Sequence, residues 1–150
     1  MELTSVMRIE VEVTQPISTG ETPSGETRVI PFVGGRFEGE DGLVGRVLDG
    51  GTDWQHVRPD GVLEIRARYL LETEQGERIE VRSEGLRSAA PEVLERLAVG
   101  ESVPPDEYYF RTFVRLSTAS ERLAAFNHRL FVGVGIRHAR RVEIHVHAVP

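Results

Sequence analysis

Apolar and polar residues alternate with a period of two along most of this chain. Within residues 3–13, Met7, Ile9, Val11 and Val13 alternate with Arg8, Glu10 and Glu12, the pattern of a strand with one wet face. Residues 62–73 repeat it most clearly: Leu63, Ile65, Ala67, Tyr69 and Leu71 share one face. Glu74, Gln75 and Gly76 then turn the chain into residues 78–82, with Ile79 and Val81 inward, and the pair reads as a hairpin. Further strands are predicted at residues 28–33, 108–116, 130–136 and 141–149. Pro31 places the first of these at an edge or bulge. Residues 18–27, rich in Gly, Ser, Thr and Pro, read as a loop.

Helical periodicity is scarce. Pro91–Ala98 has proline in the first turn, Glu92 near the positive end and Gly100 just past the stop. A second short helix is predicted over residues 118–126, where Thr118 and Glu121 have the spacing of a capping box. Seven glycines between Gly34 and Gly51 interrupt short extended pieces, as bends in a curved sheet do. The prediction is an all-β fold: an antiparallel β-barrel of roughly eight to ten short strands with one or two short helices. A sandwich is the alternative. The length of 150 residues fits a single domain, residues 1–150.

Composition narrows the chemistry more than it names it. The chain has no cysteine, which excludes thiol nucleophiles, disulfides and thiolate-held metals. All 18 basic residues are arginine, so there is no lysine for a Schiff base or a P-loop, and arginine stays protonated. A net charge of −6 argues against nucleic acid as a partner. No leader-like or spanning apolar run is present, so no membrane partner is expected and the cytoplasm is the default compartment. No dinucleotide, P-loop or nucleophile-elbow motif occurs, and no cofactor is expected. Glu143, His145 and His147 share a strand face, but H-x-H alone lacks the further ligand a metal needs, so no metal site is predicted. Gly133 and Gly135, separated by one valine, read as a close-packing or bending device within their strand.

The densest polar cluster is residues 50–61, GGTDWQHVRPDG. Arg58-Pro59-Asp60-Gly61 has the form of a type I turn. Asp53 and Gln55 fall on one face of an extended segment and Trp54 on the other; a carboxylate beside an amide orients a small substrate or acts as a base. Arg111 lies between Tyr109 and Phe113, and the opposite face of its strand carries Tyr108, Phe110, Thr112, Val114 and Leu116. Large apolar groups on both faces predict a strand buried on both sides, in which Arg111 needs a carboxylate or a ligand anion. Asn127, the chain's one asparagine, suits a helix C-cap.

The segments GGRFEGEDGLVGRVLDGGTDWQHVRPDG, ARYLLETEQGERIEVRSEG, PDEYYFRTFVRL and FNHRLFVGVGIR together resemble a bacterial and fungal family, domain of unknown function 3237, also called uncharacterised protein family 0311. The resemblance covers about residues 30–144. It implies a small barrel-type all-β fold with no established general activity. It directs attention to Glu38, Asp53, Trp54, Gln55, Arg68, Tyr109, Arg111 and Asn127 as pocket residues. The chain departs from the family pattern at Arg66, at Ser83 or Glu84, and at the Ala125-Phe126 pair before Asn127.

Three functions follow as expectations. The first is a barrel that binds a small oxygenated or anionic organic molecule, with Trp54, Gln55, Arg68, Arg111 and Asn127 as ligand-binding residues and Phe37, Tyr109 and Phe113 as walls. The second is a cofactor-independent isomerase, cyclase or lyase: Asp53 or Glu38 takes a proton, Tyr109 donates one and Arg111 holds the oxyanion. The third is a structural or partner-binding module without a cavity, dimerising through a glycine-rich edge or the last strand.

Overall fold

The computed structural model describes Met1–Pro150. Ten strands run in the order β1 (Thr4–Val13), β2 (Ile17–Thr22), β3 (Gly25–Gly39), β4 (Val44–Val47), β5 (Thr52–Val57), β6 (Leu63–Thr73), β7 (Arg78–Ser88), then helix α1 (Pro91–Ala98), β8 (Tyr109–Thr118), β9 (Phe131–Arg137) and β10 (Arg141–Ala148). Every strand pairing is antiparallel. The sheet closes because β1 pairs with β10 on one side (Ile9 opposite Ile144) and with β3 on the other (Ile9 opposite Phe37). Closure leaves no long free edge among the barrel strands.

The ring has eight positions. Two short strands share one of them. β4 spans the far ends of β3 and β6, with Phe37 opposite Gly45 and Val47 opposite Leu71. β5 spans their near ends, with Ile30 opposite Asp53 and Gln55 opposite Ile65. The long β3 bends sharply to serve β1, β4 and β5. At Gly35, with φ of 138°, an added Cβ would lie 2.1 Å from the Glu10 carbonyl oxygen, so only glycine fits this approach. β2 lies outside the ring, an exposed ribbon paired with the start of β3.

The alternation read from the sequence becomes an inside and an outside. Met7, Ile9, Phe37, Leu71, Ile79, Val81, Val114, Phe131 and Val146 are almost fully buried and fill one end of the barrel with aliphatic and aromatic side chains. The other end holds the buried polar residues Asp53, Gln55, Ser83, Arg87 and Thr112. Helix α1 lays Val93 and Leu97 into the core, and Leu97, Ala98 and Val99 flank the mouth at the polar end. No helix is long and apolar enough to cross a membrane.

Several local expectations are corrected. Residues 18–27 form the β2–β3 ribbon instead of a loop. Residues 118–126 do not form a capped helix: Thr118 ends β8, its hydroxyl donating to the Arg78 carbonyl at 2.7 Å, and only a 3-10 turn follows over Ala124–His128. Asn127 is no C-cap. Its side chain clasps the Thr118 backbone at both ends, accepting from the N–H at 2.8 Å and donating to the carbonyl at 2.9 Å. Asn127→Ala is expected to cost about 1 kcal/mol and to raise amide exchange across residues 119–128, measurable by hydrogen–deuterium exchange. Unchanged exchange there would show that other contacts hold the loop.

Candidate functional site

Period two decides the contents of the polar end. On β5, Asp53 and Gln55 point inward because Trp54 points outward. On β7 the inward series runs Ile79, Val81, Ser83, Gly85 and Arg87, and on β8 it runs Phe110, Thr112, Val114 and Leu116. Register places Arg87 beside Phe110 and Gly85 beside Thr112.

Inside the ring Asp53, Gln55, Ser83, Arg87, Phe110 and Thr112, with Tyr69, Arg137 and an apolar wall that includes Val13, Phe32 and Ile144, line a chamber of about 40 Å³. It opens toward a cleft of about 790 Å³ at the barrel mouth; the two share Val13, Ile30, Gln55, Arg87 and Arg137. The chamber has room for a few non-hydrogen atoms, whereas the cleft is in the range of small-molecule sites, roughly 300–1,000 Å³.

Asp53 is the one carboxyl group in the chamber wall. One of its oxygens accepts from the Gln55 amide at 2.8 Å and the other from the Arg66 backbone N–H at 3.1 Å. Burial raises its pKa above the ordinary carboxylate range; the hydrogen bonds from Gln55 and Arg66 and the charges of Arg87 and Arg137 oppose this without cancelling it. The folded state therefore holds this proton more tightly than the unfolded chain does. Asp53 takes nothing from stability below its unfolded pKa of about 3.9 and takes progressively more as pH rises through the elevated folded value. Asp53→Asn is expected to flatten this decline and to be at least as stable as the wild type at neutral pH, which denaturant titrations at pH 4 to 8 would measure. A variant less stable than the wild type at every pH would reverse the reading.

Arg87 is the less ordinary group. The residue is 9% exposed, it forms no ion pair with a carboxylate, and its Nε has no hydrogen-bond partner. Its guanidinium lies 5.7 Å from the centre of the Phe110 ring. Burial, reinforced by the like charge of Arg137, lowers its pKa to about 10. The Thr112 hydroxyl in the same chamber is also unpartnered. Tyr108 accepts the Arg137 backbone N–H at 3.0 Å, which fixes the rim of β9. Burial, with the charge of Asp53, pushes the Tyr69 phenol upward.

The other sequence-predicted residues stand elsewhere. Arg111 is corrected from the interior to the outer surface, where it donates to the Phe110 carbonyl at 2.9 Å and lies 5.4 Å from the Tyr109 ring. Its strand is buried on one face only: Tyr109 and Phe113 are exposed, the latter by 76%. Arg68 is also outside, paired with Glu80 at 2.7 Å. Trp54 is exposed and borders two shallow outer grooves with Arg66 and Glu84. Glu38 is exposed on β3, and Asn127 is engaged with Thr118 far from the chamber. Phe37 is interior but belongs to the packed end. Of the predicted site residues, only Asp53 and Gln55 line the chamber; Tyr109 meets Arg111, and Trp54 shares a groove with Arg68, on the outer surface. Ser83, Arg87, Thr112 and Arg137 are the chamber groups that sequence reasoning misses. The predicted return strand ends at residue 82, whereas β7 continues to Ser88. Continuing period two from Val81 puts Arg87 on the inward face.

On the outer face of β10, Glu143 accepts from His138 at 2.7 Å and from His145 at 3.3 Å, so one histidine of the H-x-H segment is held by a carboxylate hydrogen bond.

Fold and site together define a closed eight-position antiparallel barrel, packed at one end and arginine-lined at the other. The chain matches the family described as "Protein of unknown function (DUF3237)" over residues 1–149, and it belongs to that family. It is similar to a UPF0311 protein of Rhodopseudomonas palustris, 39% identical over 149 residues that cover 99% of this chain and 97% of the relative. A crystal structure of a conserved protein of unknown function from Rhodopseudomonas palustris superimposes with a TM-score of 0.93 at 38% identity, covering 99% of this chain and 97% of that one. A β-barrel-like protein from Acinetobacter baumannii gives 0.85 at 33% identity, covering 99% and 96%. An enzyme from Penicillium herquei shares the fold, with a TM-score of 0.69 at 17% identity over 97% of this chain and 93% of that one.

Proposed function

We propose that the barrel binds a small oxygenated, anionic organic molecule at its mouth, with the charged or carbonyl oxygen entering the chamber to meet Arg87. The supporting observation is the buried guanidinium itself. A buried arginine without a carboxylate partner is costly, and here Arg87, its Nε unpartnered, lines a chamber that also holds the unpartnered Thr112 hydroxyl. One oxyanion would satisfy both. The chamber takes only the head group, and the body of the ligand lies in the cleft. Isothermal titration of a carboxylate panel against wild type and Arg87→Met tests this. Retained affinity for every binding carboxylate in the variant would refute it.

A second reading rests on Asp53. A carboxyl group whose proton affinity is raised by burial, in the same chamber as an oxyanion-binding arginine, suits proton transfer next to a carbonyl: Asp53 removes the proton and Arg87 stabilises the enolate oxygen. This keeps the cofactor-independent isomerase, cyclase or lyase chemistry and moves the oxyanion role from Arg111 to Arg87. Deuterium wash-in at the α-carbon of a bound ketone, lost in Asp53→Asn, is the expected signature. Equal exchange in the variant would remove Asp53 from the chemistry.

A further inference from the structure

The 790 Å³ cleft is lined by four arginines, Arg28, Arg87, Arg137 and Arg140, and by no aspartate or glutamate. The protein as a whole is acidic, with a net charge of −6. Twelve of the eighteen arginines have a carboxylate within 4.0 Å. Arg87, Arg137 and Arg140 are among the six that do not, so half of the unpaired arginines converge on one opening. Arg28 is already held by Glu26 at 3.1 Å and adds less. Between the buried Arg87 and the exposed Arg140, the wall carries the apolar side chains of Val13, Ile30, Leu97 and Val99.

We infer that the ligand is an elongated dianion: one acidic group seated on Arg87 in the chamber, an aliphatic body against Val13, Ile30 and Leu97, and a second carboxylate or phosphate at the rim on Arg137 and Arg140. This rests on the binding reading above and extends it to the ligand's far end. One anion satisfies Arg87 but leaves two unpaired cations at the rim. A carboxylate-free, positive opening on a negative protein also focuses multiply charged anions toward itself. The apolar stretch between the two charged zones disfavours compact polyanions such as citrate, whose charges would lie against Leu97 and Val99.

The test uses the full chain and calorimetric titration with valerate, adipate, suberate and 4-phosphonobutyrate. The dianions are expected to bind at least about tenfold tighter than valerate, the effect of one added charge contact of ordinary strength. That advantage should shrink as salt rises, because the rim is exposed. Arg140→Gln, a substitution at an exposed loop position, should bring adipate down to the level of valerate. The adipate–suberate pair reads the span, and 4-phosphonobutyrate against adipate separates a phosphate-type tail from a carboxylate one. Equal affinity for valerate and the dianions, with Arg87→Met abolishing both, overturns this inference and leaves the binding reading standing. No measurable binding of any of the four overturns both.

Discussion

Arg87→Met is expected to make the protein more stable and unable to bind its ligand. At neutral pH arginine is protonated in the folded and unfolded states alike, so the folded chain bears the cost of burying that charge. The cost is fully present below the folded pKa of about 10 and is relieved only as pH climbs through it. Methionine fills a similar volume, packs on Phe110 and carries no charge. Replacing even paired buried charges by well-packed apolar residues is often neutral or stabilising by roughly 1–4 kcal/mol, and a guanidinium without a carboxylate partner falls on the stabilising side. For a chain of 150 residues each kcal/mol is worth about 2–4 °C in melting temperature. The expected result is thus a higher Tm for the apo variant, with carboxylates raising the Tm of the wild type and leaving the variant unmoved. A lower Tm in Arg87→Met would mean that the guanidinium is a structural strut, and the binding proposal would lose its foundation.

Gly135→Ala should be among the most damaging small substitutions. An added Cβ would stand 2.5 Å from two atoms of the Phe110 ring and 2.6 Å from a third. Phe110 is buried and cannot swing outward, so either the ring or β9 must shift. Overpacking of this kind costs about 1–3 kcal/mol and occasionally more, and the upper end is expected where an entire ring face is hit. The ring also supports Arg87, so the damage reaches the chamber. Guanidinium denaturation of Gly135→Ala, Phe110→Leu and the double variant would measure it. The smaller leucine side chain in the double variant should recover much of the loss, giving a coupling energy of about 1 kcal/mol or more. Additive losses would show that the glycine is required for its backbone and not for the ring.

The same pair shows how far a strand can be read from sequence. A glycine, a valine and a second glycine inside a strand announce close approach, and the neighbour is Thr112 at the first and Phe110 at the second. The long barrel strands are legible because each has one wet face, whereas β2, wet on both, reads as a loop; Pro91–Ala98 is legible from its proline start and glycine stop. The 118–126 segment misleads because Thr118 and Glu121 have capping-box spacing, while β8 continues through Thr118 and takes the hydroxyl for Arg78. Arg111 misleads for a related reason. Aromatic residues on both faces of β8 suggest double burial, yet the outer face of a barrel tolerates exposed Tyr109 and Phe113.

Alternation determined that this chain is a sheet with one buried face, because the side-chain period of a strand is two and a one-residue error would expose the whole core; the glycines added the bends that favour a barrel over a sandwich. It also determined that Asp53 and Gln55 share a face. What it left open was how far β7 runs and what the inward Arg87 meets there, since the neighbours depend on register across β7, β8 and β9. Pairing among β7, β8 and β9, within a ring closed by β1 and β10, set those registers. It put Arg87 beside Phe110 and gathered Arg137 and Arg140 at the same mouth.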